Sequence, residues 1–150
     1  MNMTTIVLDV ENSIQNGFAK MLGIKPNSSL QLIKTIEQGF SFQQFEQIRQ
    51  ETGLPTEKLA ASIGMSLRTL TRRKKENKLT ASESDRLVSI SRLLSLSVEL
   101  FEGNKVQAFR WFVNPNRALG NNSPLEISST ETGSREVENL IGRLENGVFS

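Results

Sequence analysis

From residue 29 onward, apolar residues recur at three- and four-residue spacing, interrupted by capping residues and glycines. Leu30, Ile33 and Ile36 mark one face of a first predicted helix, which Gly39 ends. Ser41 stands where a second helix needs its N-cap; Phe42, Phe45 and Ile48 then point inward, and Gly53 is the stop. Pro55 takes a favoured first-turn position of a third helix running to residue 63, and Ser66 caps a fourth, basic one. Thr80-x-x-Glu83 is a capping box ahead of the longest helix, whose inward face is Leu87, Ile90, Leu94, Val98 and Phe101. Gly103 breaks it. Residues 105–113 form a short helix presenting Ala108, Trp111 and Phe112, and residues 134–145 a last one carrying Val137, Leu140, Ile141 and Leu144. Between them, residues 114–124 hold two prolines, four asparagines and a glycine, which predicts an irregular but ordered loop. Residues 1–27 are less regular. Residues 4–10 read as a short strand and 13–22 as a weakly periodic helix, with Gly23, Pro26, Asn27 and Ser28 as a turn cluster, so a tail or an oligomerisation arm is expected. The expected fold class is all-α.

One segment stands out within this pattern. Leu59, Ala60, Ile63, Gly64 and Met65 directly precede the basic stretch 66–75. Small and apolar residues at these offsets let two short helices pack at a steep angle, with Gly64 making the turn. A side chain larger than the methyl of Ala60, four residues before that glycine, would push the helices apart. In the second helix Leu70 is directed inward and Arg68, Thr71 and Arg72 outward, the layout of a helix-turn-helix whose second helix enters a DNA major groove. Arg68 and Arg72 can donate paired hydrogen bonds to guanine. Ser66, Leu67 and Thr71 are placed to touch base edges, and Lys74, Lys75 and Lys78 phosphates. Arg73 departs from the usual pattern, because an apolar residue normally stands three positions beyond Leu70.

Composition removes most other chemistries. The chain has no cysteine, no histidine and no tyrosine, so thiolate nucleophiles, sulfur-based zinc sites, Ser/His/Asp triads and most proton-transfer groups cannot be assembled. No phosphate-binding glycine loop accompanies the glutamates between Glu126 and Glu145, which read as a solvated helix face rather than an acid/base pair. No enzyme activity and no cofactor are expected. No apolar run approaches the roughly 18 to 20 residues that span a bilayer, and the patch at residues 6–10 lacks the basic flank of a signal peptide. A cytoplasmic protein without membrane contact is the expectation.

The charge is uneven. Between residues 68 and 78 six cations face one acid, Glu76, for a net +5; between 120 and 150 five glutamates face Arg135 and Arg143, for a net −3. The first segment can neutralise phosphates and the second would be repelled by them, which points to two different partners.

The second half also carries a resemblance. Arg68-Thr69-Leu70-Thr71-Arg72-Arg73-Lys74 is followed by Leu79-Thr80, Glu83-Ser84-Asp85-Arg86-Leu87, and Ala108 with Trp111. Then come Pro115-Asn116-Arg117-Ala118-Leu119-Gly120, Ser123-Pro124-Leu125, Thr130-Glu131-Thr132-Gly133, Val137, Leu140, Gly142-Arg143-Leu144-Glu145 and Gly147. Together, in this order and at these separations, they resemble the Xre/MbcA/ParS-type antitoxins that pair with RES-domain toxins, over roughly residues 28–150. The resemblance implies a bacterial type II toxin–antitoxin system in which the toxin depletes NAD. It also implies an Xre-like half that dimerises and binds operator DNA, and a C-terminal half that covers the toxin's active site. A second glycine often follows the position of Gly120 in that family; here Asn121 stands there. Residues 1–27 match nothing in it.

These readings divide the chain into an arm at 1–27, an Xre-like helix-turn-helix domain at 28–79 and a helical toxin-binding domain at 80–150. The expected partners are a RES-domain toxin, operator DNA and a second copy of the chain, assembled through the helices before Pro55 or through the N-terminal arm. The expected toxin-facing residues are Trp111, Pro115, Asn116, Arg117, Leu119, Gly120, Pro124, Leu125, Arg143, Glu145, Phe149 and Ser150. A Pro/Asn-rich loop can be held rigid at small ordering cost, which suits plugging a cleft. Phe149 and the carboxylate of Ser150 are placed to reach a nucleotide pocket. The alternative is a stand-alone helix-turn-helix regulator whose C-terminal half senses a ligand or merely dimerises.

Overall fold

A computed structural model describes residues 17–24 and 28–147, and within them every extended element is a helix. The order is α1 (Ser29–Gln38), α2 (Phe42–Thr52), α3 (Thr56–Ser62), α4 (Leu67–Glu76), α5 (Ala81–Leu100), α6 (Lys105–Val113), a 3-10 turn (Arg117–Leu119), α7 (Pro124–Ile127) and α8 (Glu131–Glu145). Residues 17–22, also helical, precede them. The all-α expectation holds.

Helix α5 is the axis of the molecule: α1, α6 and α8 all pack on it. Its start is set by the predicted capping box. The Thr80 hydroxyl accepts from the Glu83 amide at 3.1 Å, and the Glu83 carboxylate accepts from the Thr80 amide at 2.9 Å. The same turn anchors the N-terminal helices, since the Ser84 hydroxyl accepts from the Phe40 amide at 2.8 Å and the Leu79 amide donates to the Phe40 carbonyl at 2.8 Å. Gly39 makes that approach possible. Its φ is +86°, and a Cβ there would lie 2.2 Å from the Leu79 carbonyl oxygen, so no other residue fits. Helix α8 runs alongside α5 in the same direction: Arg86 donates to the Ser128 carbonyl and the Ser134 hydroxyl, and Arg92 makes a two-pronged bridge to Glu138 at 2.8 and 3.0 Å.

One hydrophobic core runs through both halves, from Phe18 and Leu22 through Phe45, Ile48, Leu59, Leu87, Leu94 and Phe112 to Leu125, Val137 and Ile141. At about 1.5–3 kcal/mol for each large apolar side chain fully buried, this shared core ties the two halves together.

Several expectations are corrected here. Phe18, Ala19, Met21 and Leu22, assigned by sequence to an arm, are core residues. The predicted strand at 4–10 lies outside the described residues. Helix α1 departs in part from its predicted face: Ile36 packs on the core as expected, but Leu30 and Ile33 are 71% and 48% exposed and Leu32 packs on the core instead. Ile33 and Leu32 both stand at helical spacing from Ile36, and the docking of Gly39 and Phe40 against Leu79 favours Leu32. Ser41 holds the N-cap position of α2, but its hydroxyl donates to the Gln44 side chain and caps no amide. Helix α8 starts at Glu131 rather than at 134, because the Thr130 hydroxyl accepts from the Gly133 amide at 3.0 Å. Helix α7 starts at the last residue of the predicted loop and occupies a stretch for which the sequence predicts no element; Ser123 caps it and Pro124 fills its first turn.

Candidate functional site

The helix-turn-helix has the geometry its residues predict. Leu59, Ala60, Ile63 and Met65 are buried, and the Met65 amide reaches back over the turn to the Ala60 carbonyl at 2.9 Å. Gly64 adopts φ +83°, and nothing stands within 4 Å of where its Cβ would be, so conformation rather than space demands the glycine. Helix α4 then projects outward with none of its residues buried. Ser66, Leu67, Arg68, Thr71, Arg72, Lys74, Lys75 and Lys78 are all exposed, so every residue assigned to DNA lies on an open surface. Arg68, Thr71, Arg72 and Lys75 share one face at i, i+3, i+4 and i+7.

Two of the candidate base readers already have internal work. The Ser66 hydroxyl accepts from the Thr69 amide at 3.2 Å and donates to the Thr69 hydroxyl at 3.1 Å. The Thr71 hydroxyl donates to the Leu67 carbonyl at 3.1 Å. Arg68 and Arg72 therefore remain as the principal polar candidates on this face.

Arg73, the departure from the usual pattern, is explained by its partner. Its guanidinium donates to Glu83 at 2.7 Å, and the two side chains are only 14% and 9% exposed. Burial pushes the Glu83 carboxyl up, but hydrogen bonds from Arg73 and Thr80 and the Arg73 charge outweigh it and hold the group below the usual carboxylate range. The hydrogen bond to Glu83 raises Arg73 in turn. An apolar residue would seat the recognition helix on the core; here an ion pair ties it to the first turn of α5.

The second surface begins past the other end of α5. Trp111 is half-buried, its ring tilted 55° against Phe101 at 6.1 Å between centroids. The chain after α6 then closes on itself. The Asn116 amide donates to the Asn122 carbonyl at 3.0 Å, the Asn121 amide to the Asn116 carbonyl at 2.9 Å, and the Asn116 side chain accepts from the Ala118 amide at 2.9 Å. The Asn122 side chain donates to the Leu119 carbonyl at 3.1 Å. Gly120 and Asn121 are both left-handed, at φ +65° and +64°, the conformation that favours glycine and that asparagine also adopts. The loop also packs on α8.

The toxin-facing candidates divide accordingly. Pro115, Arg117, Gly120, Arg143 and Glu145 are exposed, and Trp111 and Asn116 are half-buried. Leu119, Pro124 and Leu125 are buried in the protein's own core, which corrects their assignment to a contact surface: they hold the loop from beneath. Phe149 and Ser150 lie outside the described residues. Partial burial and the nearby Glu99 charge push the Glu145 carboxyl up. Among the described residues, no helix is long and apolar enough to cross a membrane, and no cluster of acidic or metal-binding side chains could hold a metal ion.

Comparison with known proteins identifies the two parts of the chain that carry these surfaces. Residues 31–92 match the antitoxin Xre-like helix-turn-helix domain, and residues 97–147 the antitoxin Xre/MbcA/ParS C-terminal toxin-binding domain. The chain is 36% identical over 130 residues to antitoxin Xre of Yersinia enterocolitica, covering 86% of this chain and 88% of that one. This chain belongs to the Xre antitoxin family. Antitoxin Xre of Photorhabdus laumondii is 40% identical over 88 residues, 58% of this chain and 60% of the relative. That of Pseudomonas putida is 29% identical over 82 residues, 54% and 51% of the two chains. The Xre match over 97–147 favours an antitoxin over a stand-alone regulator. The junction between the two matched domains falls inside α5, so one continuous helix carries both.

Sequence reasoning missed Glu83 and Gly133 as parts of this frame. Glu83 was legible only as a cap; its second role needs Arg73 brought beside it. A Cβ on Gly133 would lie 1.7 Å from the Ile127 carbonyl oxygen, a contact between α8 and the end of α7 that no local pattern reports.

Proposed function

We propose that this chain neutralises a RES-domain, NAD-degrading toxin by covering its active site, and represses its own operon through α4. The observation that carries the reading is the placement of two unlike surfaces on one helix. Arg73 meets Glu83 in the first turn of α5, and Trp111 meets Phe101 at its C-cap. Eighteen residues at 1.5 Å per residue put these anchors about 27 Å apart along the axis, so DNA and toxin can be held together. A cleft that binds a dinucleotide is electropositive, and the exposed Glu126, Glu131, Glu136 and Glu145 complement it, whereas α4 does not.

In this reading residues 28–79 serve DNA and dimerisation and 80–150 the toxin, in the cytoplasm. The contact residues are Trp111, Pro115, Asn116, Arg117 and Gly120 on the loop side and Arg143 and Glu145 on α8, with Phe149 and Ser150 entering the cleft. The exposed Leu30 and Ile33 on α1 support a homodimer, which pairs two recognition helices on two half-sites. Sedimentation is expected to show a dimer at micromolar concentration, and Leu30→Lys with Ile33→Lys a monomer.

The test of inhibition is NAD content in cells co-expressing the RES toxin encoded beside this gene. The full chain is expected to preserve NAD, and a chain lacking residues 147–150 to lose protection while still binding operator DNA. Full protection by the shortened chain would move the plug to the Pro115–Gly120 loop. NAD loss with the full chain would defeat the reading.

A further inference from the structure

Helix α4 presents two parallel stripes to the outside. Arg68 and Arg72, at i and i+4, form a stripe of guanidinium groups; Leu67 and Thr71, one residue earlier at the same spacing, form the neighbouring stripe. Leu67 is 55% exposed, the one large apolar side chain so exposed on this helix. A single exposed leucine has no meaning by itself. This one sits at the first helical position of a recognition helix, where base edges are approached most closely, with Arg68 next to it in the chain. Thr71 strengthens the point. Its hydroxyl donates to the Leu67 carbonyl, so its own donor is engaged and the γ-methyl is left for outside contact. The Ser66 hydroxyl is likewise engaged at the cap. The stripe beside the arginines is therefore apolar in what it offers.

The major groove displays one apolar group, the 5-methyl of thymine. We infer that Leu67, with the Thr71 methyl, reads a thymine 5-methyl beside the guanine contacts of Arg68 and Arg72. This rests on the proposed operator binding and adds to it a base that no hydrogen bond selects. The operator half-site then contains a thymine whose methyl matters and whose Watson–Crick partner does not.

The test uses the full chain and duplexes of its own promoter in which each thymine in turn is replaced by deoxyuridine, a change that deletes only the methyl. Binding is read by fluorescence anisotropy at fixed salt. One thymine per half-site is expected to show a loss of about threefold to tenfold on replacement, the scale of one buried methyl. Leu67→Ala should bind the unmodified duplex more weakly and be indifferent to that same replacement. Thr71→Ser, which removes only a methyl, should show part of the effect. Leu67 is exposed, so the thermal melt of Leu67→Ala should match the parent and exclude misfolding. If the parent tolerates every deoxyuridine, or Leu67→Ala stays fully sensitive, the inference is overturned while operator binding stands. If Arg68→Ala with Arg72→Ala binds the promoter unchanged, α4 is not the reader and both claims fall.

Discussion

Helix α4 and the loop between α6 and α7 meet the outside by opposite means. In α4 no residue is buried, and its charged side chains, Arg73 apart, reach outward from a regular helix. In the loop, Asn116 and Asn122 bond their own backbone, Leu119 fills the core, and what remains outside is a rigid backbone contour with Pro115, Arg117 and Gly120 on it. A phosphate surface rewards charge and reach, and is forgiving of position. A cleft in another protein rewards shape held at low ordering cost. The first kind of surface can be changed without touching the fold; the second cannot.

The widest break between the two comes from Arg68→Ala with Arg72→Ala. At about 1–3 kcal/mol for each paired contact, operator affinity should fall by roughly 2–6 kcal/mol, with the melting temperature and toxin neutralisation unchanged. Leu125→Ala should act through the fold instead. It opens a cavity beneath the loop, costs about 2–5 kcal/mol of stability, and weakens both functions through the shared core. For the same reason, excising residues 114–150 is not a clean separation: Leu119, Leu125, Val137, Leu140 and Ile141 leave with them.

Arg73→Ala tests the connection. Removing a hydrogen bond between charged groups should destabilise by about 1.5–3 kcal/mol, read in a thermal melt. Because Arg73 faces Glu83, the salt dependence of DNA binding should keep its slope, unlike that of Lys74→Ala. Acid reports on the same pair. Hydrogen bonds from Arg73 and Thr80 hold Glu83 below its unfolded value, and Arg92 does the same for Glu138. The stability they contribute is present above pH 4.5 and is lost as pH falls through the depressed values. Glu83→Gln should flatten part of that acid limb. Glu145, raised by burial and by Glu99, has the opposite sign: its contribution fades as pH rises through its folded value, so Glu145→Gln should stabilise at neutral pH.

The smallest effect belongs to Asn121. Replacement by valine puts a branched side chain at φ +64° and should cost about 1–2 kcal/mol, whereas glycine should be neutral or slightly stabilising. A melt of the two variants distinguishes them.

What the sequence made legible follows the same division. The turn at Gly64, the caps at Ser66 and Thr80 and the outward cations of α4 are local features, written within a few residues of one another. Arg73 was visible as an exception, though its reason was not, because Glu83 lies ten residues away on another helix. The face of α1 is legible only at Ile36, because Ile33 and Leu32 both stand at helical spacing from it and the docking of Gly39 against Leu79 favours Leu32. Phe18 and Leu22 were hidden in a segment too weakly periodic to show a buried face. The loop was recognised as ordered from its Pro and Asn content. Its inward residues, Leu119, Pro124 and Leu125, were mistaken for contacts because family likeness marks a residue without saying which way it faces.

Amide hydrogen exchange on the complex with the RES toxin, compared with the free protein, tests the two-surface account most directly. The account expects new protection at residues 114–122 and at the end of α8 near Arg143 and Glu145, with residues 66–78 exchanging as before. Protection of residues 66–78 by the toxin, with 114–122 unchanged, would contradict it.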